Sequence, residues 1–256
     1  MPDDRPKTNI SSIAPGEIRI KGYNIGDLMG RRNFAEVAYL VLKGQLPTEA
    51  EGKMMDAILT SSVDHGVTPP SSLAARTVMS GGNPLNAAVA AGILAIGDTH
   101  GGAIEQSARI LQEWAQKDGE PSKIAGELLA DLKNKNQRMP GFGHRLHKTD
   151  PRTVRLFEMA EQLDFSGKHQ KLAKAIETLF GQQRKPLPIN VDGAIAAVIS
   201  DMGFDWRLGK GFFIISRTVG LIAHAHEERV REKPMRELGI PDYIYDGPPP
   251  QGLEDQ

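Results

Sequence analysis

The chain has 256 residues, of which 39% are hydrophobic and 25% charged, with 31 Lys and Arg against 32 Asp and Glu. That length allows one large domain or two smaller ones with a full apolar core, and a net charge of -1 offers no basic surplus to hold nucleic acid. The absence of Cys excludes disulfides, thiolate metal sites and a Cys nucleophile, and it fits a reducing, cytoplasmic setting.

Met1-Pro2-Asp3-Asp4-Arg5 is polar and lacks the apolar run of a signal peptide, and no later apolar stretch is long and unbroken enough to span a membrane. Glu17-Ile18-Arg19-Ile20-Lys21 is the only strand-like piece, expected as a short N-terminal β-hairpin or edge. From Phe34 to Leu42, apolar residues at Phe34, Val37, Ala38, Leu40 and Val41 share a helical face, and Gly44 stops it. Thr48-Glu49-Ala50-Glu51 has the form of a capping box, in which hydroxyl and carboxylate each accept from the other residue's amide, so a helix opens there. Asp64-His65, with Ser71, Ser72 and Arg76 after it, reads as a polar loop carrying a His. Pro84 to Ile96 is Ala-rich and apolar on nearly every side, the pattern of a helix buried in a bundle or a subunit interface, and it predicts a homodimer at least. Further helices are expected near 101–117, 122–134, 151–163, 169–179, 192–202 and 210–231, which makes the chain all-α. Pro248-Pro249-Pro250 sits in what should be a loose tail over 247–256.

Within that frame, several tracts carry reactive side chains. Asp98-Thr99-His100-Gly101-Gly102-Ala103 puts a His at a helix end, beside glycines that let backbone approach a ligand; taken alone, a His there is more often a satisfied structural residue than a catalyst. The tract from Pro140 to Arg152 holds Gly141, Gly143, His144, Arg145, His147 and Lys148 ahead of Asp150-Pro151, a cap followed by Pro at the first helical position. A helix N-terminus among cations suits an anion, although a solvated basic turn has the same composition. Asn190-Val191-Asp192-Gly193 places one carboxylate at the mouth of an apolar helix, where Asp192 is a candidate N-cap as well as a candidate base. Arg217 lies in an otherwise apolar run from Phe212 to Val219, where a cation must be paired or face a cavity. His144-x-x-His147 and His224-x-His226 have no Cys or acidic ligand pattern, so no metal site is expected. His224 and His226, beside Glu227 and Glu228, read as a solvated helix face. No P-loop GxxxxGK[ST] is present.

Together these tracts resemble the citrate synthase family in type and order. The resemblance runs from Gly22-Tyr23-Asn24-Ile25 through Gly44-Gln45-Leu46-Pro47-Thr48 to Ser216-Arg217-Thr218-Val219-Gly220. That family has a long helical segment between the Leu-Pro-Thr turn and the Asp-His tract. Here only Glu49 to Val63 intervenes, which resembles the compact citryl-CoA lyases and the matching C-terminal module of ATP-citrate lyase. The resemblance implies a citrate-synthase-like helical fold in a compact form lacking part of the outer helical layer. It also implies a single unit over 1–256, with a large helical part at about 1–140 and 205–240 and a smaller CoA-binding part at about 141–204.

By the same resemblance, Asp192 is the base at the acetyl methyl, His100 donates to the thioester oxygen, and His144 handles the proton on the substrate's carbinol or ketone oxygen. His65, Arg152 and Arg217 match contacts to oxaloacetate. The family's third arginine precedes a proline and reaches the neighbouring subunit's site; here Lys233 precedes Pro234, with Arg236 close by. Pro140, Gly141, Phe142 and Gly143 would face coenzyme A, while Arg145 and Lys148 either reach its phosphates or are solvated. The implied reaction is retro-Claisen cleavage of (3S)-citryl-CoA to acetyl-CoA and oxaloacetate, with CoA present only as part of the substrate and no permanently bound cofactor. The alternatives are a short citrate or 2-methylcitrate synthase, a lyase for a related 3-hydroxy-acyl-CoA, and a non-catalytic module with a relict site. The implied partners are further copies, in a homodimer or homotetramer, and a separate citryl-CoA synthetase.

Overall fold

Proline and glycine chemistry shapes the start of the chain. In the computed structural model, which describes residues 5–143, 149–182, 186–236 and 244–249, Pro15-Gly16 turns the backbone between two strands, with Gly16 at φ 77. β1 (Ser11–Ala14), β2 (Glu17–Ile20) and β3 (Tyr23–Asn24) form an antiparallel sheet in that order, Ser11 opposite Ile20 and Arg19 opposite Asn24. The expected hairpin is therefore a three-stranded sheet. Its outer strands carry no alternation that marks them in sequence.

Among the described residues, the remaining elements are all helical: α1 (Ile25–Leu28), α2 (Phe34–Lys43), α3 (Glu49–Ser61), α4 (Pro70–Ser80), α5 (Leu85–Leu94), α6 (Ala103–Trp114), α7 (Pro121–Asn134), α8 (Pro151–Gln162), α9 (Lys168–Gly181), α10 (Val191–Asp201) and α11 (Gly209–Arg231), with a 3-10 turn at Trp206–Leu208. Local chemistry sets many of the bounds. Thr48 and Glu51 form the reciprocal capping box at α3, and Gly44 ends α2 at φ 93. Pro151 and the Asp150 side chain open α8.

One segment departs from the sequence reading. Residues 70–80 form a helix rather than a polar loop, because Pro70 presets the first turn and the polar side chains point inward. Ser71, Ser72 and Arg76 are all buried where α4 packs on α5 and α11. By contrast, the nearly all-apolar α5 has no cover on one side within the single chain, leaving Leu94 84% exposed and Leu85 40% exposed.

At the centre of the fold is α10, packed against α6, α8 and α9 and buried from Val191 to Ser200 except at Asp192. Its small residues Gly193, Ala194, Ala196 and Ala197 allow close helix approach, while Ile195 and Ile199 each bury a side chain worth about 1.5–3 kcal/mol. The carbonyls of the turn that follows its C-terminus are met by side chains from other helices. Lys43 Nζ donates to Met202 O at 2.9 Å and Gly203 O at 2.5 Å, and Gln112 Nε2 donates to Phe204 O at 2.8 Å. Asp201 at this end accepts from the amides of Gly167, His169 and Gln170 and so caps α9. Among the described residues, no helix is long and apolar enough to cross a membrane. Of the expected tail, 247–249 are described and exposed, and 250–256 lie outside the described residues.

Candidate active site

Asp192 owes its position to its neighbour. Asn190, rather than Asp192, is the N-cap of α10: its Oδ1 accepts from Asp192 N at 3.0 Å and Gly193 N at 3.2 Å. That leaves the Asp192 carboxyl free of a capping duty. The same Asn190 donates from Nδ2 to Gly143 O at 2.8 Å, and its amide donates to Gly141 O at 3.1 Å. Gly143 N in turn donates to Pro188 O at 2.7 Å, so the Pro140–Gly143 loop is laced to the segment before α10. Gly141 (φ 82) could take no side chain here, since a Cβ would stand 2.6 Å from Gly193 Cα. Burial raises Asp192 to about 6, against the pull of the Arg152 and Arg217 charges, with Asp150 adding to the rise.

His100 sits in the tight Gly97–Gly102 turn between α5 and α6, where Gly97 O accepts from the amides of both His100 and Gly102 at 3.0 Å. Its Nε2 lies 2.8 Å from the Oγ of buried Ser71, and its ring meets Phe213 edge-on at 5.8 Å. Gly101 is required by two constraints at once: φ is 78, and a Cβ would lie 2.6 Å from the Phe213 ring. Burial pushes the His100 pKa down, and the nearby Arg217 and His65 charges push it the same way, so the ring is neutral.

Arg217 is 2% exposed on α11. Its Nε donates to Ser62 O at 3.0 Å and its guanidinium lies 4.7 Å from the Phe213 ring centre, while buried Nη1 has no protein acceptor among the described residues. A desolvated guanidinium donor without a protein partner is strongly disposed to take an anion. Arg152, in the first turn of α8, forks onto Asp150 at 3.0 and 2.8 Å. Asp150 also accepts from Val191 N at 3.2 Å and so ties the start of α8 to the start of α10. Burial pushes the Asp150 carboxyl up, but the bonds from Arg152 and the amides outweigh it and hold the group below its ordinary value.

The electrostatic neighbourhoods overlap: His100 feels Arg217 and His65, and Asp192 and Arg217 feel each other and Arg152. The structure thus brings His65, His100, Arg152, Asp192 and Arg217 together, with Gly141, Phe142 and Gly143 held against the start of α10 through Gly193, Ile189 and Asn190. Lys233 and Arg236 are elsewhere. Lys233 lines a 460 Å³ cavity with Met79, Asn83, Pro84 and Glu232, and Arg236 forks onto Glu228 at 2.6 Å. His144, Arg145 and Lys148 lie outside the described residues.

The reading of His224 as solvated is corrected. It is 9% exposed and bonded to Asp64, because its position on α11 faces inward, whereas His226 is exposed. Ser71, known from the sequence only as part of a polar tract, turns out to hold His100. Among the described residues, no group of three His, Cys, Asp or Glu side chains is placed to hold a metal ion.

A raised carboxyl, a neutral imidazole and buried guanidinium groups form a set able to move a proton at carbon, donate to a developing enolate and hold carboxylates. Comparison with known proteins agrees with this chemistry. Residues 6–54 and 49–238 match the family described as citrate synthase, C-terminal domain. Among solved structures, the chain is similar to citryl-CoA lyase from Hydrogenobacter thermophilus, with 48% identity, a TM-score of 0.90 and 97% of each chain covered. It is similar to a probable ATP-citrate synthase of Dictyostelium discoideum, 31% identical over 247 residues, which are 89% of this chain and 37% of that protein. Citrate synthase of Haloferax volcanii is 31% identical over 201 residues, 77% of this chain and 52% of that protein. The chain therefore spans well under two thirds of these two curated relatives' lengths.

Proposed function

Since the chain belongs to the citrate synthase family, we propose that it is a carbon–carbon lyase that splits (3S)-citryl-CoA into acetyl-CoA and oxaloacetate. The observation that carries this reading is Asp192: a carboxyl raised to about 6, beside a neutral His100 and two arginines. Such a carboxyl can hold or release a proton near neutrality, as a group that works on a carbon acid must. The choice of lyase rests on the end-to-end likeness to a citryl-CoA lyase and on the single helix, α3, between Thr48 and Asp64.

In the cleaving direction His144 takes the proton of the tertiary hydroxyl. That C–O bond becomes the ketone of oxaloacetate, and the adjacent C–C bond breaks toward the thioester. His100 donates to the enolate oxygen, its ring oriented by the contact of Nε2 with Ser71 Oγ. Asp192 then delivers its proton to the enolate carbon and yields the acetyl methyl. Condensation is the same path reversed, so in either direction Asp192 and His144 carry one proton between them. His65, Arg152 and Arg217 hold the carboxylates, with Arg217 Nη1 as the preformed donor. The Pro140–Gly143 backbone borders the CoA chain, at the edge of a smaller CoA-binding part at about 141–204.

CoA arrives with the substrate, and no permanently bound cofactor is required. A separate synthetase supplies citryl-CoA, and the protein works in the cytoplasm. The uncovered side of α5 at Leu85 and Leu94 is taken up by a second copy, in a homodimer or a tetramer of such dimers. Lys233 and Arg236 would reach a substrate only across that interface. The second reading, a short citrate synthase, is favoured by the likeness to the Haloferax enzyme.

One assay separates the two readings: citryl-CoA alone, and acetyl-CoA with oxaloacetate, are each incubated with the protein while free CoA and oxaloacetate are followed. Rapid oxaloacetate with little free CoA from citryl-CoA is the expected result. Stoichiometric CoA and citrate from the condensation mixture would make the protein a synthase, and inertness toward both would refute either reading.

A further inference from the structure

Asp64 closes the turn that carries His65. Its Oδ2 accepts from Gly66 N at 2.8 Å, with Gly66 at φ 80, so the carboxylate fixes the backbone on both sides of the histidine. Its Oδ1 accepts from Nε2 of His224 on α11 at 2.9 Å. The other ring nitrogen of His224, Nδ1, faces Arg76 Nη1 at 3.5 Å. A guanidinium only donates, so Nδ1 is the acceptor on that side and Nε2 donates to Asp64.

The far side of this contact is equally determined. Buried Arg76 is held by Glu228 at 2.8 Å and Glu227 at 3.0 Å, and Glu228, itself 2% exposed, is forked by Arg236. One turn earlier on α11, Gly220 lets the helix backbone lie directly on the turn, since a Cβ there would stand 3.0 Å from Asp64 Oδ1. Desolvating so many charged groups is an expensive way to attach a helix to a loop, which apolar contacts could do as well. What a hydrogen-bonded network adds is a defined orientation.

We infer that His224 is a positioning residue for the substrate-contacting turn: by fixing Asp64 from α11, it sets where the Asp64–Gly66 turn presents His65. The inference rests on the reading of His65 as a contact to the oxaloacetate end of the substrate. His224 touches no substrate itself and acts only through that turn.

The test is a double-mutant cycle on oxaloacetate binding, measured by calorimetry on the intact protein, with turnover of citryl-CoA recorded alongside. His224→Ala should weaken oxaloacetate binding about tenfold, the scale of one lost hydrogen bond. Turnover at saturation should stay within about threefold, because a contact made equally in ground and transition states affects binding rather than kcat. On a His65→Ala background, His224→Ala should add nothing, since its effect passes through that side chain. His224→Gln, which can keep a donor near the Nε2 position, should recover much of the affinity. If His224→Ala proves unfolded by thermal melting, His224→Phe, which keeps a ring but has no donor for Asp64, carries the same cycle.

Additive losses in the double variant, or equal damage to kcat and binding with no rescue by Gln, would reduce His224 to a general structural role and overturn the inference. Wild-type protein that binds no oxaloacetate and turns over no citryl-CoA would refute the functional reading, and the inference with it. Wild-type protein that condenses rather than cleaves leaves the cycle fully readable, because oxaloacetate binds in either direction.

Discussion

Replacing Asp192 by Asn should make the protein inactive and, above pH 6, more stable. The carboxyl rises from an ordinary value of 3.8 to about 6, chiefly through burial. At about 1.36 kcal/mol per unit, holding it ionised in the folded state costs up to about 3 kcal/mol. The partial exposure of the residue makes that a ceiling. The sign follows from proton uptake: between pH 3.8 and about 6 the folded chain binds more protons at this site than the unfolded chain, so this site's contribution to stability falls as pH rises. Above about 6 both states are ionised and the loss is complete. An amide has no such cost and keeps the shape of the neutral acid. Urea unfolding of wild type and Asp192→Asn from pH 4.5 to 8 should show the variant gaining an advantage that grows to about 1–3 kcal/mol and then levels off. Turnover of citryl-CoA should meanwhile fall by about 10²–10⁴-fold, the usual worth of general acid–base catalysis. A stability difference independent of pH, or a folded variant with turnover within tenfold of wild type, would refute the reasoning.

Two further substitutions probe the walls of the site. Arg217→Lys keeps the charge but loses the fork and the bond to Ser62 O, so KM for citryl-CoA should rise roughly 10–100-fold in steady-state kinetics; an unchanged KM would remove Arg217 from the carboxylate site. Gly101→Ala puts a methyl group against the Phe213 ring at a positive φ, and should cost about 1–3 kcal/mol in denaturant titration while lowering turnover through the displaced His100; wild-type values of both would show that the turn has room.

Where local chemistry decides structure, the sequence was readable. Thr48 with Glu51, Gly44, and Asp150 with Pro151 mark helix ends because their effect needs no partner beyond a few residues. Helices α6 to α11 accordingly fall within about two residues of the expected bounds at nearly every end. Partners distant in the chain were not legible. The α4 segment, with Ser71, Ser72 and Arg76, has a loop's composition, and only the fold supplies the buried partners that make it a helix. His224 looked solvated beside Glu227 and Glu228, yet the helical period turns 224 and 228 inward and 226 outward. The site itself draws on side chains from His65 to Arg217, and no spacing rule predicts their convergence. Only the resemblance in motif order suggested it. The place of Lys233 and Arg236 outside this cluster was likewise invisible, because the role implied for them belongs to a neighbouring subunit's site.

The burial of α10 bears on how such a protein can change. A helix without a solvent face, with Gly and Ala at its closest contacts, offers no position where a larger residue is neutral. Drift and laboratory evolution alike should find it nearly closed, and its residues should exchange only in compensated pairs with α6, α8 or α9. Room for change lies instead at the non-glycine positions of the turns at Gly97–Gly102 and Pro140–Gly143, such as exposed Asp98 and Thr99, since Gly101 and Gly141 themselves admit no side chain. Diversification aimed at those positions leaves the packing of α10 untouched. The same effort spent on α10 mostly samples loss of the fold.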